Sequence, residues 1–134
     1  MSACGKASLE DSGKGQIYYD KELAGVQLVI TKTENGTIWY KLNCREEAAQ
    51  LMTGNSQDAI LEQWTGSEWR QLKVKSGFAW TMEAHVVTPE SPFEGSLAVA
   101  GKYGNLRPGR YRLIKAFSAA GVNYSAKAEF EWKK

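Results

Sequence analysis

Glu83 and His85, in Glu83-Ala84-His85-Val86-Val87, have the types and spacing for proton-transfer chemistry. Residues two apart on a strand point to the same face. A carboxylate and an imidazole would then lie side by side as an acid–base pair. His85 is the only histidine, however, and zinc sites commonly use two or three imidazoles or a Cys-x-x-Cys pair, which is absent. Asp11, Asp20 and Asp58 lack the spacing of a calcium loop. Neither glycine signature for phosphate binding occurs. No nucleophile is singled out beside the pair. The residue types therefore predict no catalytic residues, no metal and no cofactor, with His85 an exposed or edge-strand side chain.

Binding chemistry has more candidates. There are five tryptophans, and one or two are expected in the core. Trp64 and Trp69 flank the turn Thr65-Gly66-Ser67-Glu68, which makes them cross-strand neighbours. They either stabilise that hairpin as an aromatic pair or, facing outward with Trp39, stack on a sugar ring or grip a peptide. Arg107, Arg110 and Arg112 crowd one corner, and Arg110 and Arg112 share a strand face that could hold an acidic partner. The net charge is only +2, which gives no reason to expect nucleic acid. It is unevenly placed: residues 102–134 carry +6 and residues 1–101 carry −4. The basic part reads either as a solvated sheet face or as a weak surface for a polyanionic glycan or anionic lipid.

These residues need a scaffold, and its period is two. Val122, Tyr124, Ala126, Ala128, Phe130 and Trp132 alternate with polar residues as in a half-buried antiparallel strand. Before it, Tyr111, Leu113, Lys115 and Phe117 share one face, and Arg110, Arg112, Ile114 and Ala116 the other. Ser118-Ala119-Ala120-Gly121 joins the two runs as a hairpin. Val26 to Thr31 and Thr37 to Leu42 flank Asn35-Gly36, a strong hairpin signal. Ala59 to Trp64 pairs with Trp69 to Val74, and Ala79 to Val87, Ser96 to Ala100 and Ile17 to Tyr19 are further strand candidates. One helical connection is expected at Arg45 to Met52, capped by Asn43 with Glu46 and ended by Gly54. At 134 residues and 43% hydrophobic, this is one globular all-β domain with seven or eight strands, a sandwich or a barrel. Disorder, a coiled coil and a membrane-spanning helix are excluded.

The turn Leu106-Arg107-Pro108-Gly109-Arg110-Tyr111 resembles the corner before the penultimate strand of immunoglobulin-like sandwiches, where a tyrosine hydroxyl bonds back to the backbone. Leu106, Pro108, Gly109 and Tyr111 would build it. With Gly25 to Thr31, Ile60 to Trp69 and Leu106 to Trp132, the chain resembles the bacterial Ig-like domains of Gram-positive lipoproteins and secreted proteins. The resemblance covers about residues 16–134. It implies an immunoglobulin-like antiparallel β-sandwich, an extracytoplasmic setting and no shared catalytic residues.

Met1-Ser2-Ala3-Cys4 resembles the end of a bacterial lipoprotein signal peptide, with Met1 where the box has Leu. Cys4 is the expected lipidation site, and residues 1–15 the flexible tether to the domain. A Cys4–Cys44 disulfide is a further reading; otherwise Cys44 is a partly buried structural thiol. The expected function is a non-catalytic binding or structural module of a lipid-anchored envelope protein. It would be monomeric, meet the membrane only through its anchor, and have an unknown protein or a cell-wall glycan as partner. The alternative is a β-sandwich like the intracellular proteinase inhibitors of bacilli, presenting the Pro-containing loop Thr88 to Glu94 as an extended peptide.

Overall fold

A computed structural model describes residues 21–45 and 51–133. Cys4, the 1–15 tether and the Ile17 to Tyr19 strand lie outside the described residues. Nine strands and one short helix are described: β1 (Val26–Glu34), β2 (Thr37–Cys44), β3 (Leu51–Thr53), β4 (Ile60–Trp64), β5 (Trp69–Gln71), β6 (His85–Val87), β7 (Phe93–Ala98), α1 (Val99–Tyr103), β8 (Gly109–Ala119) and β9 (Val122–Trp132). They form two antiparallel sheets, the expected sandwich. The smaller has the order β1-β2-β7, and the larger the order β5-β4-β8-β3-β6 with β9 on the other edge of β8.

The β1–β2 and β8–β9 hairpins follow from local chemistry. Asn35 and Gly36 have φ of 53° and 71°, and Ala120 and Gly121 have φ of 52° and 77°. Turns with two positive φ values match the twist of the strands they join. Space at Gly36 is also tight, since a Cβ there would sit 3.1 Å from the Ala100 Cβ. Along β8 the alternation is as expected: Tyr111, Leu113, Lys115 and Phe117 are buried inward. They meet Leu28, Ile38, Tyr40, Leu42 and Leu97 across the sandwich, with Leu61 beside them on β4.

Four expectations are corrected. Of the expected Arg45 to Met52 helix, residues 46–50 lie outside the described residues, and Leu51 and Met52 belong instead to strand β3, paired with β8 on one side and β6 on the other. Asn43 lies within β2, so it caps no helix. Two sheet neighbours outweigh a local capping pattern that could stabilise two turns at most. The one described helix is α1 instead, where the Ser96 to Ala100 strand was expected to continue; its Ala100 N–H donates to the Gly36 carbonyl. The 79–87 strand contracts to His85–Val87. No tryptophan is among the fully buried core residues; Trp132 packs against the core while only partly buried.

At the corner, the Tyr111 ring is buried and its hydroxyl donates to the Arg107 carbonyl at 2.6 Å. Tyr111→Phe keeps the ring and removes that bond. It is expected to cost about 1 kcal/mol, read as a lower midpoint in thermal denaturation. An unchanged midpoint would show that the corner bond adds nothing to stability.

Candidate functional site: an Arg–Trp face and a lysine-held loop

The outward face of the larger sheet brings four of the five candidate surface residues together. Trp64 and Trp69 are directly paired across β4 and β5, with ring centroids 5.3 Å apart and planes tilted by 57°. The Arg112 guanidinium lies 4.4 Å from the Trp69 ring centre. That of Arg110 is 6.0 Å from Trp64 and 5.8 Å from Trp69. Such contacts add cation–π attraction to the hairpin. Each arginine also has a carboxylate: Arg112 Nε donates to Glu62 at 2.9 Å, and Arg110 Nε to Glu129 at 3.1 Å. The Glu62–Arg112 pair is largely shielded and the Arg110–Glu129 pair is open to solvent. Arg107 takes part in the corner through its carbonyl. Trp39 lies on the smaller sheet, so the three-tryptophan platform is not assembled.

Part of the basic excess of the C-terminal part is taken up inside the fold. Arg110 and Arg112 are paired, and Lys102 and Lys115 are buried. The charged groups of the Arg–Trp face come in opposite-sign pairs.

The most unusual chemistry is in the 54–59 connection between β3 and β4. Both strands lie on the same edge of β8, and the connection bulges between them. Lys115, inward on β8 and 0% exposed, donates to the carbonyls of Gly54, Asn55 and Asp58 at 3.3, 2.6 and 2.9 Å. Lys102, on α1 and also 0% exposed, donates to those of Gln57 and Ala59 at 2.6 and 2.7 Å. The Lys102 ammonium also sits 4.4 Å from the Trp80 ring centre. Gln57 bridges to β7, donating to the Ser96 carbonyl and accepting from the Ala98 N–H. Burial pushes Lys102 down to about 7 and Lys115 down to about 8; Asp58 pulls both upward. Sequence reasoning missed both lysines as structural centres. The signal for Lys115 was present: a lone cation on the apolar face of an alternating strand.

Glu83 and His85 do come together. His85 Nε2 and Glu83 Oε1 are 2.8 Å apart. Thr81 and Asn55 donate to the other carboxylate oxygen at 2.7 and 2.8 Å. These bonds, His85 first, hold the Glu83 carboxyl below its ordinary range. The carboxylate is thus engaged by three side chains and ties the 54–59 connection to the segment before β6. Among the described residues no cluster of metal-ligating side chains exists, and no helix is long and apolar enough to cross a membrane. Of the 88–94 loop, Phe93 and Glu94 belong to β7 and the rest is a turn: Thr88 and Ser91 exchange backbone hydrogen bonds at 3.2 and 3.1 Å. Those groups are turned on each other, and an inhibitory loop would have to offer them to a protease.

Two antiparallel sheets around one core, with a tyrosine corner leading into the longest hairpin, define an immunoglobulin-like sandwich. The family described as bacterial Ig-like domain matches residues 26–131, and the chain belongs to it. Among curated proteins no sequence matches the chain.

Proposed function

We propose that this bacterial Ig-like domain is a non-catalytic extracytoplasmic module of a lipid-anchored envelope protein, and that it holds a protein partner through its Arg–Trp face. One observation carries the reading. Trp64, Trp69, Arg110 and Arg112 stand together on an open sheet face with their charges already paired. Tryptophan and arginine are the residue types that dominate binding energy at protein interfaces. Paired arginines favour a partner recognised by planar stacking over one recognised by net charge. Anchoring rests on the likeness of Met1-Ser2-Ala3-Cys4 to a lipoprotein cleavage box.

The test compares the full chain with Trp64→Ala and Trp69→Ala in binding to envelope proteins and cell-wall glycans, at low and at physiological salt. Expected is binding to a protein that survives added salt and weakens by about tenfold or more in either variant. Binding that both variants retain would overturn the reading. So would binding that salt abolishes and Arg110→Glu/Arg112→Glu removes, which would make the face a polyanion site. Anchoring is tested separately, by whether Cys4→Ala releases the precursor from the detergent phase; equal partition of the two forms removes it.

A further inference from the structure

We propose that a groove on the opposite sheet, across β2 and β7, binds a neutral saccharide with the Trp39 indole as its stacking surface. This site does not rest on the Arg–Trp face. Ile38, Tyr40 and Leu42 of β2 are buried in the core, so the alternation turns Trp39 and Lys41 outward. Ser96 and Glu94 of β7 stand directly opposite them. The groove is about 530 Å³ and is lined by Thr31, Trp39, Lys41, Ser56, Glu94 and Ser96. That volume falls in the range of small-ligand sites.

Three local features shape it. First, the register of β1 shifts between Ile30 and Lys32, leaving Thr31 as a bulge at the rim; bulges re-aim side chains in this way. Second, Gly95 lets the 54–59 connection approach β7. A Cβ there would lie 2.9 Å from atoms of both Ser56 and Tyr40. The Tyr40 hydroxyl then fixes Ser56 by donating 2.7 Å to its carbonyl. Third, Lys32 lies 5.1 Å from the Trp39 ring centre and 2.9 Å from Glu34. It lies over one face of the indole without lining the groove, so the sugar takes the other face.

The result is one large aromatic surface ringed by hydroxyls. A pyranose has the matching chemistry, with an apolar C–H face for the indole and a rim of hydroxyls for hydrogen bonding. Lys41 Nζ and Glu94 Oε2 are 3.9 Å apart, beyond hydrogen-bond distance. A sugar hydroxyl placed between them could accept from one and donate to the other. One cation and one carboxylate leave the lining formally neutral, which favours an uncharged ligand over a polyanion.

The test is titration of the full chain with cellotetraose and with chitotetraose, followed by NMR of the indole N–H signals. The Trp39 signal is expected to shift and saturate with a Kd of about 1 mM or tighter. Trp39→Ala should weaken binding by about tenfold, and Trp69→Ala should leave it unchanged. Ser96→Tyr, which fills the groove while keeping the indole, should also abolish it; this keeps the test decisive if Trp39→Ala does not fold. No shift of Trp39 with either sugar at about 20 mM would overturn the proposal. Binding that persists in the folded Ser96→Tyr variant, or shifts confined to Trp64 and Trp69, would do the same. Loss of the Arg–Trp partner with saccharide binding intact, or the reverse, separates the fates of the two readings.

Discussion

Lys115→Ala is expected to leave the domain largely unfolded at neutral pH. The Lys115 ammonium serves three carbonyls, those of Gly54, Asn55 and Asp58, from a fully buried position. An unsatisfied buried carbonyl costs about 1–3 kcal/mol. Truncating a long buried side chain to alanine adds a cavity cost of about 2–5 kcal/mol. Removing a buried charge recovers part of this, but the remainder is comparable with the whole stability of a small domain, about 5–15 kcal/mol. Lys115→Met separates the terms, because it keeps most of the stem and loses only the donors. It should fold with stability lowered by about 2–4 kcal/mol, read as a lower urea midpoint. The effect should also spread, since Asn55 on the same connection holds Thr81 and Glu83. Amide exchange in residues 79–85 should rise with that in 54–59. A Lys115→Met variant as stable as the wild type would show that the ammonium does not organise the connection.

That lysine also marks where reading the sequence stops. The hairpin turns at Asn35-Gly36 and Ala120-Gly121 were legible because positive φ is a property of the turn residues themselves. The long terminal hairpin was legible because its alternation runs over eleven positions of β9. The Tyr111 corner was legible from its proline, glycine and tyrosine spacing. Leu51 and Met52 were misread because the local pattern before Gly54 suits a helix, while β3 exists only through partners far away in sequence, Val87 and Ala119. The 54–59 connection has no regular pattern at all. Its shape depends on two donors that arrive from β8 and α1, and no local spacing announces them. The tryptophans were recognised as surface candidates, but their distribution between the two sheets depends on topology. Trp64 and Trp69 share a hairpin and were paired correctly; Trp39 needed the sheet order.

Stability is expected to rise with pH between about 7 and about 10, which is unusual for a domain rich in carboxylate pairs. The two buried lysines set the sign. Burial lowers Lys102 from 10.5 to about 7 and Lys115 from 10.5 to about 8. Across that window the unfolded chain still holds protons that the folded chain has shed, so each rise in pH favours the fold. The slope approaches about 1.4 kcal/mol per pH unit for each lysine once the folded group is neutral. Below about pH 7 both lysines are charged in both states, and the full cost of burying them is felt. The hydrogen bonding agrees with the order of the two. A neutral amine has two N–H groups, enough for the two carbonyls that Lys102 serves. It is one short for the three at Lys115, which retains its proton to higher pH. Tyr40 and Tyr103 set the upper limit. Burial raises both well above 10.0, so beyond about pH 10 the unfolded tyrosines lose protons that the folded ones keep, and stability falls. Urea midpoints at about pH 6, 8, 9.5 and 11 should therefore trace a maximum near pH 9–10. In Lys102→Met the rise should be shallower by about half, because one of the two groups is gone. A midpoint that falls steadily from pH 7 to 9.5 would mean that the carbonyls hold both ammoniums charged through the alkaline range, and that burial does not dominate their titration.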